Sequence, residues 1–370
     1  MRQSLFAACL VLLLLVPGAM ALSEADGPSY GIKGRECSLF AIFIQPDDDA
    51  ILCATGFDTG DAGFQVDNSI IRVSPEGEIR WIHHMPYISE VGGGNLIALS
   101  DGRYATSVYY PDEDYSILSI FDAEEGFLSE SGPIKAASFL ATNGHIIGLD
   151  SPSGTSGLRL TWVTNDGDVE KRLDYAFDLV PSNVYFVEAG EGLILMCCFE
   201  GDGNRFMLTR VRQDGTVDWQ YVYRSPIGSM NDLRADGQGG AYVMCDPGLY
   251  HDRNYVMRVD AEGNELWGTE LVHDGAIVSE IAADARGYHL ILDENETVQL
   301  LTLTPDGGEI RHPKQRKPEY EAPDTMLRVR EMFTLSDGDS YFFGYVHSLD
   351  QSRHYGADII AANAPEAAAD

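Results

Sequence analysis

Short apolar segments separated by turn residues run along most of this chain of 370 residues. One phrase recurs, in which an apolar strand leads to an acidic or polar residue beside glycine and then to a second strand. Glycine supplies the positive φ angles that tight hairpin turns require. The turn glycines of the six copies are Gly77, Gly126, Gly167, Gly215, Gly263 and Gly307, at separations of 49, 41, 48, 48 and 44 residues. This period predicts a repeat protein whose unit contains a β-hairpin.

A second hairpin lies between successive copies of the first. Its seven turns fall at residues 47–49, 101–102, 143–144, 190–192, 236–237, 285–287 and 337–338. Two hairpins give four antiparallel strands per unit, and a sheet of four strands cannot cover both of its faces alone, so such units stack radially around an axis. The sequence therefore predicts an all-β fold, a seven-bladed β-propeller of four-stranded antiparallel blades.

The last unit is expected to lack a fourth strand of its own. After the seventh turn the chain has one further apolar stretch, 357–362, before a small and polar tail. We expect residues 29–37 to supply the missing strand, which would close the ring and cover an exposed sheet edge. Residues 311–323, which contain three prolines, are predicted to form a long loop between the sixth and seventh blades.

The N-terminus has the pattern of a secretory signal peptide. Arg2 precedes an apolar run over residues 5–16, Pro17 and Gly18 interrupt it, and residues 19–21 match a cleavage site. We therefore predict a signal peptide over 1–21, a single propeller domain over 22–363 and a disordered tail over 364–370. The mature chain would be secreted or periplasmic. The apolar run is too short to cross a bilayer, so no membrane insertion is expected after cleavage.

The chain is strongly acidic, with 58 Asp and Glu against 25 Lys and Arg and a net charge of −33. Such a charge repels phosphate backbones and anionic lipids, so nucleic acids and membrane surfaces are poor candidates for partners. It is typical of a soluble extracellular protein, and it also suits a cationic partner or a divalent metal ion. The sequence does not fix the oligomeric state, and a monomer is compatible with it.

Three copies of the recurring phrase end in tryptophan, at Trp81, Trp219 and Trp267. The copies over residues 211–219 and 259–267 resemble the repeats of PQQ-like β-propellers, a superfamily that includes quinoprotein dehydrogenases and non-catalytic relatives. The resemblance implies that the three tryptophans pack between adjacent blades. The fuller tryptophan motifs and the calcium site of the quinone-binding members are not recognisable, so the resemblance indicates a non-catalytic member without a cofactor.

Motifs typical of enzymes are not found in the sequence. It has no HExxH metal motif, no G-x-S-x-G nucleophile elbow and no phosphate-binding loop. The five cysteines beyond the signal lack zinc or redox spacing. Cys197 and Cys198 are neighbours in an apolar strand, so their side chains should point to opposite faces. Tyr109 and Tyr110, which run into a loop, are the residues nominated for binding.

Two functions remain open. The favoured one is a secreted, non-catalytic propeller that binds a protein or carbohydrate partner or acts as a scaffold. The alternative is an extracellular enzyme, a hydrolase, lyase or quinoprotein-like oxidoreductase, with its site in the central channel. That alternative would require ionisable side chains from three or more blades to meet at one end of the channel.

Overall fold

A computed structural model describes the chain over residues 30, 38–55, 68–85, 96–110, 113–151, 156–177, 181–199, 204–246, 253–273, 276–294, 296–317, 325–337, 340–348 and 354–362. These residues form 28 β-strands in seven antiparallel sheets. The described segments contain no helix that could cross a membrane.

The first three sheets, here called blades, follow one another along the chain. Blade 1 consists of β1 (Ser38–Ile44), β2 (Ala50–Thr55), β3 (Asn68–Val73) and β4 (Ile79–Met85). Blade 2 consists of β5 (Leu96–Ala98), β6 (Tyr104–Tyr110), β7 (Tyr115–Asp122) and β8 (Gly126–Glu130). Blade 3 consists of β9 (Ser138–Thr142), β10 (His145–Asp150), β11 (Gly157–Thr164) and β12 (Val169–Ala176).

The remaining sheets repeat this meander. Blade 4 consists of β13 (Pro181–Ala189), β14 (Gly192–Phe199), β15 (Arg205–Arg212) and β16 (Val217–Arg224). Blade 5 consists of β17 (Ser229–Ala235), β18 (Ala241–Asp246), β19 (Arg253–Val259) and β20 (Glu265–Val272). Blade 6 consists of β21 (Ile277–Asp284), β22 (Gly287–Asp293), β23 (Thr297–Leu303), β24 (Glu309–Arg311) and β25 (Gln315–Arg316). The C-terminal sheet consists of β26 (Thr325–Thr334), β27 (Ser340–Ser348) and β28 (His354–Ala362).

The turn between the third and fourth strands of each blade depends on its glycine. The six turn glycines have φ angles between 82° and 93°, a region that side chains with a Cβ rarely adopt. At Gly263 there is a second constraint, because a Cβ there would lie 2.7 Å from the ring of Tyr221 in the preceding blade. Asp260 completes this turn, since its Oδ1 accepts hydrogen bonds from the backbone N–H groups of Glu262 and Asn264.

Successive sheets pack face to face through apolar clusters, each drawn from two neighbouring sheets. Strand β14 contributes side chains to the clusters on both faces of blade 4. Cys197 belongs to the cluster shared with blade 3 and Cys198 to the cluster shared with blade 5, so the two thiols point to opposite faces, as predicted. The C-terminal sheet packs in the same way on blade 1, where Phe343 lies in one cluster with Leu52.

An arginine and a tryptophan join each of three blades to the next one. Arg72 and Trp81 are cross-strand partners, and both donate to the backbone carbonyl of Ala123 at 2.8 Å, in the outer turn of blade 2. Two further sets do the same: Arg210 and Trp219 to Ala261, and Arg258 and Trp267 to Pro305. The tryptophans therefore pack between adjacent blades, at the junctions that follow blades 1, 4 and 5.

Blade 3 has the two residue types exchanged between the strands. Trp162 occupies the third-strand position that arginine holds elsewhere, and Lys171 occupies the fourth-strand position of tryptophan. The Lys171 ammonium lies 4.6 Å from the centre of the Trp162 ring and donates to the carbonyl of Asp214 in the next blade. A cation, an indole and a turn carbonyl thus meet at this junction as well.

Part of the predicted architecture differs from the structure. Seven four-stranded blades were expected, whereas six sheets have four strands or more and the C-terminal sheet has three in the described residues. Of residues 29–37, expected to supply a strand to that sheet, the structure describes Tyr30, which lies in a turn with a φ of 45°; residues 29 and 31–37 lie outside the described residues, as do 1–21 and 364–370. The long loop expected over 311–323 is wrong at Arg311, which ends β24, and at β25, which pairs with β23, while 318–323 lie outside the described residues. Pro313 has no N–H for the ladder, so the outer strand breaks there and then resumes.

Candidate functional site

The nominated tyrosines lie at the end of blade 2 opposite to its glycine turn. Tyr109 and Tyr110 are the last residues of β6, and Tyr115 is the first residue of β7. All three are half-buried. Tyr110 and Tyr115 are cross-strand partners whose ring centres lie 5.1 Å apart with an interplanar angle of 29°. The hairpin therefore holds the aromatic rings as a group at the edge of the blade.

Charged side chains adjoin these rings. The Tyr109 hydroxyl donates to Oδ1 of Asp114 at 3.0 Å, and the ammonium of Lys135 lies 3.4 Å from Oδ2 of the same carboxylate. Partial burial and the Asp114 carboxylate raise the pKa of Tyr109, so its hydroxyl stays protonated and donates at neutral pH. Asp114 has a φ of 55°, in the left-handed region, and its carboxylate contacts Tyr109 near the end of β6. We call Tyr109, Tyr110, Asp114 and Tyr115 the tyrosine cluster.

Blade 3 adds a second carboxylate and a guanidinium at the same end of the sheets. Asp150 is the last residue of β10 and lies opposite Arg159 in the sheet, while Arg159 donates to Asp174 at 2.7 Å. Burial raises the pKa of Asp150, and the negative charge of Asp114 raises it further. The two blades therefore bring their carboxylates close enough to interact. Half-exposed phenols beside charges of both signs are suited to binding through hydrogen bonds and aromatic contact.

An ion-paired cluster on β17, the first strand of blade 5, and β22, the second strand of blade 6, bears on the enzyme hypothesis. Asp232 on β17 accepts hydrogen bonds at 2.9 Å from Arg234 of the same strand and from the hydroxyl of Tyr288 on β22. The hydrogen bonds named here join blades 5 and 6, whereas the enzyme hypothesis requires ionisable side chains from three or more blades. No group of three metal-ligating side chains occurs in the described segments.

A chain of hydrogen bonds in blade 6 was missed by the sequence analysis. Asp284 Oδ1 lies 3.1 Å from Nε2 of His289, whose Nδ1 lies 3.0 Å from Oγ1 of Thr302. The same Oγ1 lies 3.2 Å from Nε2 of His312. If Nε2 of His289 donates to the carboxylate, Thr302 donates to Nδ1 and accepts from His312. One part of this chain has a sequence signal, because the alternation of the two strands places His289 opposite Thr302. His312 has no such signal, because it comes from the broken outer strand.

This chain predicts a pH-dependent contribution to stability. Burial lowers the pKa of His312, and the nearby His289 lowers it further. The folded state therefore favours the neutral ring, so this contribution is complete above a pH of about 6.5 and is lost as the pH falls below that value. We expect the free energy of unfolding in urea to fall more between about pH 7.5 and about pH 5.5 in the natural protein than in His312→Gln. Equal losses in the two proteins would contradict this.

Sequence comparisons match neither a protein-family model nor a curated protein. The β-propeller domain of the Trilobed protease from Pyrococcus furiosus, with an open velcro topology, superposes with a TM-score of 0.55 and 11% identity over 90% of this chain and 100% of that domain. The fold is a β-propeller. BBS1N in complex with ARL6DN gives a TM-score of 0.50 and 9% identity, over 95% of this chain and 99% of that one. A prolyl endopeptidase gives 0.50 and 15%, over 91% of this chain but only 52% of its own.

Proposed function

We propose that this propeller is a secreted, non-catalytic module that binds another protein through the tyrosine cluster. The observation that supports this function is the meeting of half-exposed phenols with Asp114, Lys135 and the Arg159–Asp174 pair across two blades. Tyrosine and arginine are enriched in protein interfaces, whereas a sugar site would need an open aromatic face. Here one face of Tyr110 is covered by Tyr115. The net charge of −33 favours a partner segment that is basic.

The propellers with a similar fold are compatible with this proposal without deciding it. One is the propeller domain of a protease, one belongs to a prolyl endopeptidase, and one is in complex with ARL6DN. We assign the chain to the PQQ-like propellers on the tryptophan-ended phrase, and as a member without a quinone. The three tryptophans support this assignment, because each indole N–H donates a hydrogen bond to a backbone carbonyl of the next blade and so joins adjacent blades.

We further propose that the ring has seven blades and that the N-terminal segment completes the last one. Tyr30 supports this closure, because its backbone N–H donates to the carbonyl of Pro75 at 3.1 Å. Pro75 precedes Gly77 by two residues, as Pro305 precedes Gly307. In blade 6, the carbonyl of Pro305 accepts a hydrogen bond from the indole of Trp267, which lies on the fourth strand of blade 5. This contact supports the proposal that the segment around Tyr30 holds, at blade 1, the place that a fourth strand holds at the other junctions.

Selection of binding peptides tests the proposed function. A phage-displayed random peptide library is selected on the mature protein, with Tyr109→Ala/Tyr110→Ala as the variant and Leu128→Ala, an exposed position elsewhere in blade 2, as the matched control. We expect enriched basic peptides whose affinity falls at least about tenfold on the double variant, equivalent to about 1.4 kcal/mol, and is unchanged on the control. Peptides that bind all three proteins equally would contradict the site. A glycan-array signal that is lost only in the double variant would show that the cluster binds a carbohydrate and would contradict the protein partner.

A further inference from the structure

The outer strand of blade 4 has an unusual edge. The centre of β16, residues 219–223, has no charged residue and consists of tryptophan, glutamine, tyrosine, valine and tyrosine. Val217, Tyr221 and Val222 are exposed by 48%, 49% and 54%. In the described residues β16 pairs only with β15, so one row of its backbone N–H and C=O groups has no strand partner. Such an edge favours the addition of another strand.

The neighbouring blades carry charges where β16 has none. Seven residues after the turn glycine, β12 has Asp174, β20 has Glu270 and β16 has Val222. Both carboxylates are held by arginines, Arg159 at 2.7 Å and Arg253 at 3.3 Å. A charge on an outer strand opposes edge pairing because a second strand would bury it. Blades 3 and 5 are protected in this way, and blade 4 is not.

The sequence of β16 is complementary to itself in one antiparallel register. Asp218 and Arg224 lie three residues on either side of Tyr221. When two copies pair with their Tyr221 residues opposite, Asp218 of each copy, which already accepts a hydrogen bond from Arg212 of its own blade, faces Arg224 of the other, and Trp219 faces Tyr223. An acidic partner would stabilise Arg224, because within its own blade Arg224 lies opposite Arg205, a residue of like charge.

The aromatic side chains of this strand are already ordered. The Trp219 indole donates to the carbonyl of Ala261 at 2.7 Å, and the Tyr223 hydroxyl donates to that of Gly263. Tyr221 stacks on Trp219 with ring centres 5.6 Å apart. Pairing would therefore lose little side-chain entropy, which favours association.

We propose that β16 pairs antiparallel with β16 of a second copy of this chain, forming a two-fold symmetric dimer through one continuous eight-stranded sheet. Each contact occurs twice in such an interface, so one substitution acts twice. Each copy has a net charge of −33, and the copies repel each other over a range that salt shortens. The dimer should therefore become stronger as the salt concentration rises.

Sedimentation velocity on the mature protein tests this proposal. Salt is varied from about 0.1 M to about 1 M, over which the Debye length falls from about 10 Å to about 3 Å. We expect a monomer–dimer equilibrium with tighter association at high salt. Val222→Asp, which gives β16 the type of residue that protects β12, and Arg224→Glu should each weaken dimerisation at least about a hundredfold. Leu266→Asp, at an exposed position on β20, should leave it unchanged.

Two results would overturn the dimer. One is a natural protein that stays monomeric at high protein and salt concentration. The other is an oligomer that Val222→Asp and Arg224→Glu leave as strong as before. Both variants change exposed side chains, and unchanged urea midpoints would show that they remain folded. The tyrosine cluster lies in blade 2, so the peptide-binding experiment and this one can fail independently.

Discussion

Replacing Arg258 with alanine is expected to lower the free energy of unfolding by about 3–5 kcal/mol, the range for breaking a buried ion pair. Arg258 and Asp236 are buried, with side chains exposed by 8% and 1%. Nε and Nη2 of the guanidinium donate to one carboxylate oxygen at 3.0 and 2.7 Å, and Nη1 donates to the carbonyl of Pro305 in blade 6. Alanine would leave a buried carboxylate without its counter-ion and would remove a contact between blades.

Urea unfolding of matched variants checks this expectation. Arg286→Ala breaks the pair with Asp284 on the surface, where the arginine side chain is 82% exposed, and should cost about 0–1 kcal/mol. Arg258→Met combined with Asp236→Asn removes both buried charges and should be more stable than Arg258→Met alone. If the double variant recovers nothing, the loss comes from packing over the ring of Tyr242 and not from an uncompensated charge.

The hairpins were predictable because their signals are local. An acidic residue beside glycine between apolar strands specifies a turn whatever surrounds it, and Gly215 and Gly307 have φ angles of 87° and 88°. The arginines that accompany the tryptophans were not found. Arg210 and Trp219 are partners only because a bulge shifts the register between Arg210 and Val211, and the sequence does not reveal such a shift.

The candidate site was predictable only where one hairpin contains it. Tyr109 and Tyr110 stand out in the sequence because two aromatic residues run directly into a loop. Asp150 and Arg159 could not be assigned to the same place, since their approach depends on the packing of blade 3 against blade 2. The hydrogen-bonded histidines of blade 6 were missed for a related reason. His312 reaches Thr302 from the broken outer strand, and a strand interruption of that kind has no reliable sequence signature.

Replacing Tyr30 with alanine is expected to cost about 3–5 kcal/mol, as for other large aromatic residues removed from a core. Tyr30 is fully buried and shares a cluster with Leu52 of blade 1 and with Phe333 and Tyr341 of the C-terminal sheet. Its ring centre lies 6.0 Å from that of Phe333, and its hydroxyl donates to the carbonyl of Asp48 at 2.9 Å. The alanine variant would leave a cavity where the first and last sheets meet.

Two further variants separate the contribution of the Tyr30 ring from that of its hydroxyl and from the loss of an aromatic residue elsewhere. Tyr30→Phe keeps the ring and removes one hydrogen bond, so it should cost about 1 kcal/mol. Tyr255→Ala, a half-buried tyrosine of blade 5, controls for aromatic loss away from this junction. If the N-terminal segment closes the ring, Tyr30→Ala should also speed proteolysis at the C-terminal sheet, because that sheet loses part of its packing against blade 1 and opens more often. A small stability loss with unchanged proteolysis would show that the last sheet is held without Tyr30.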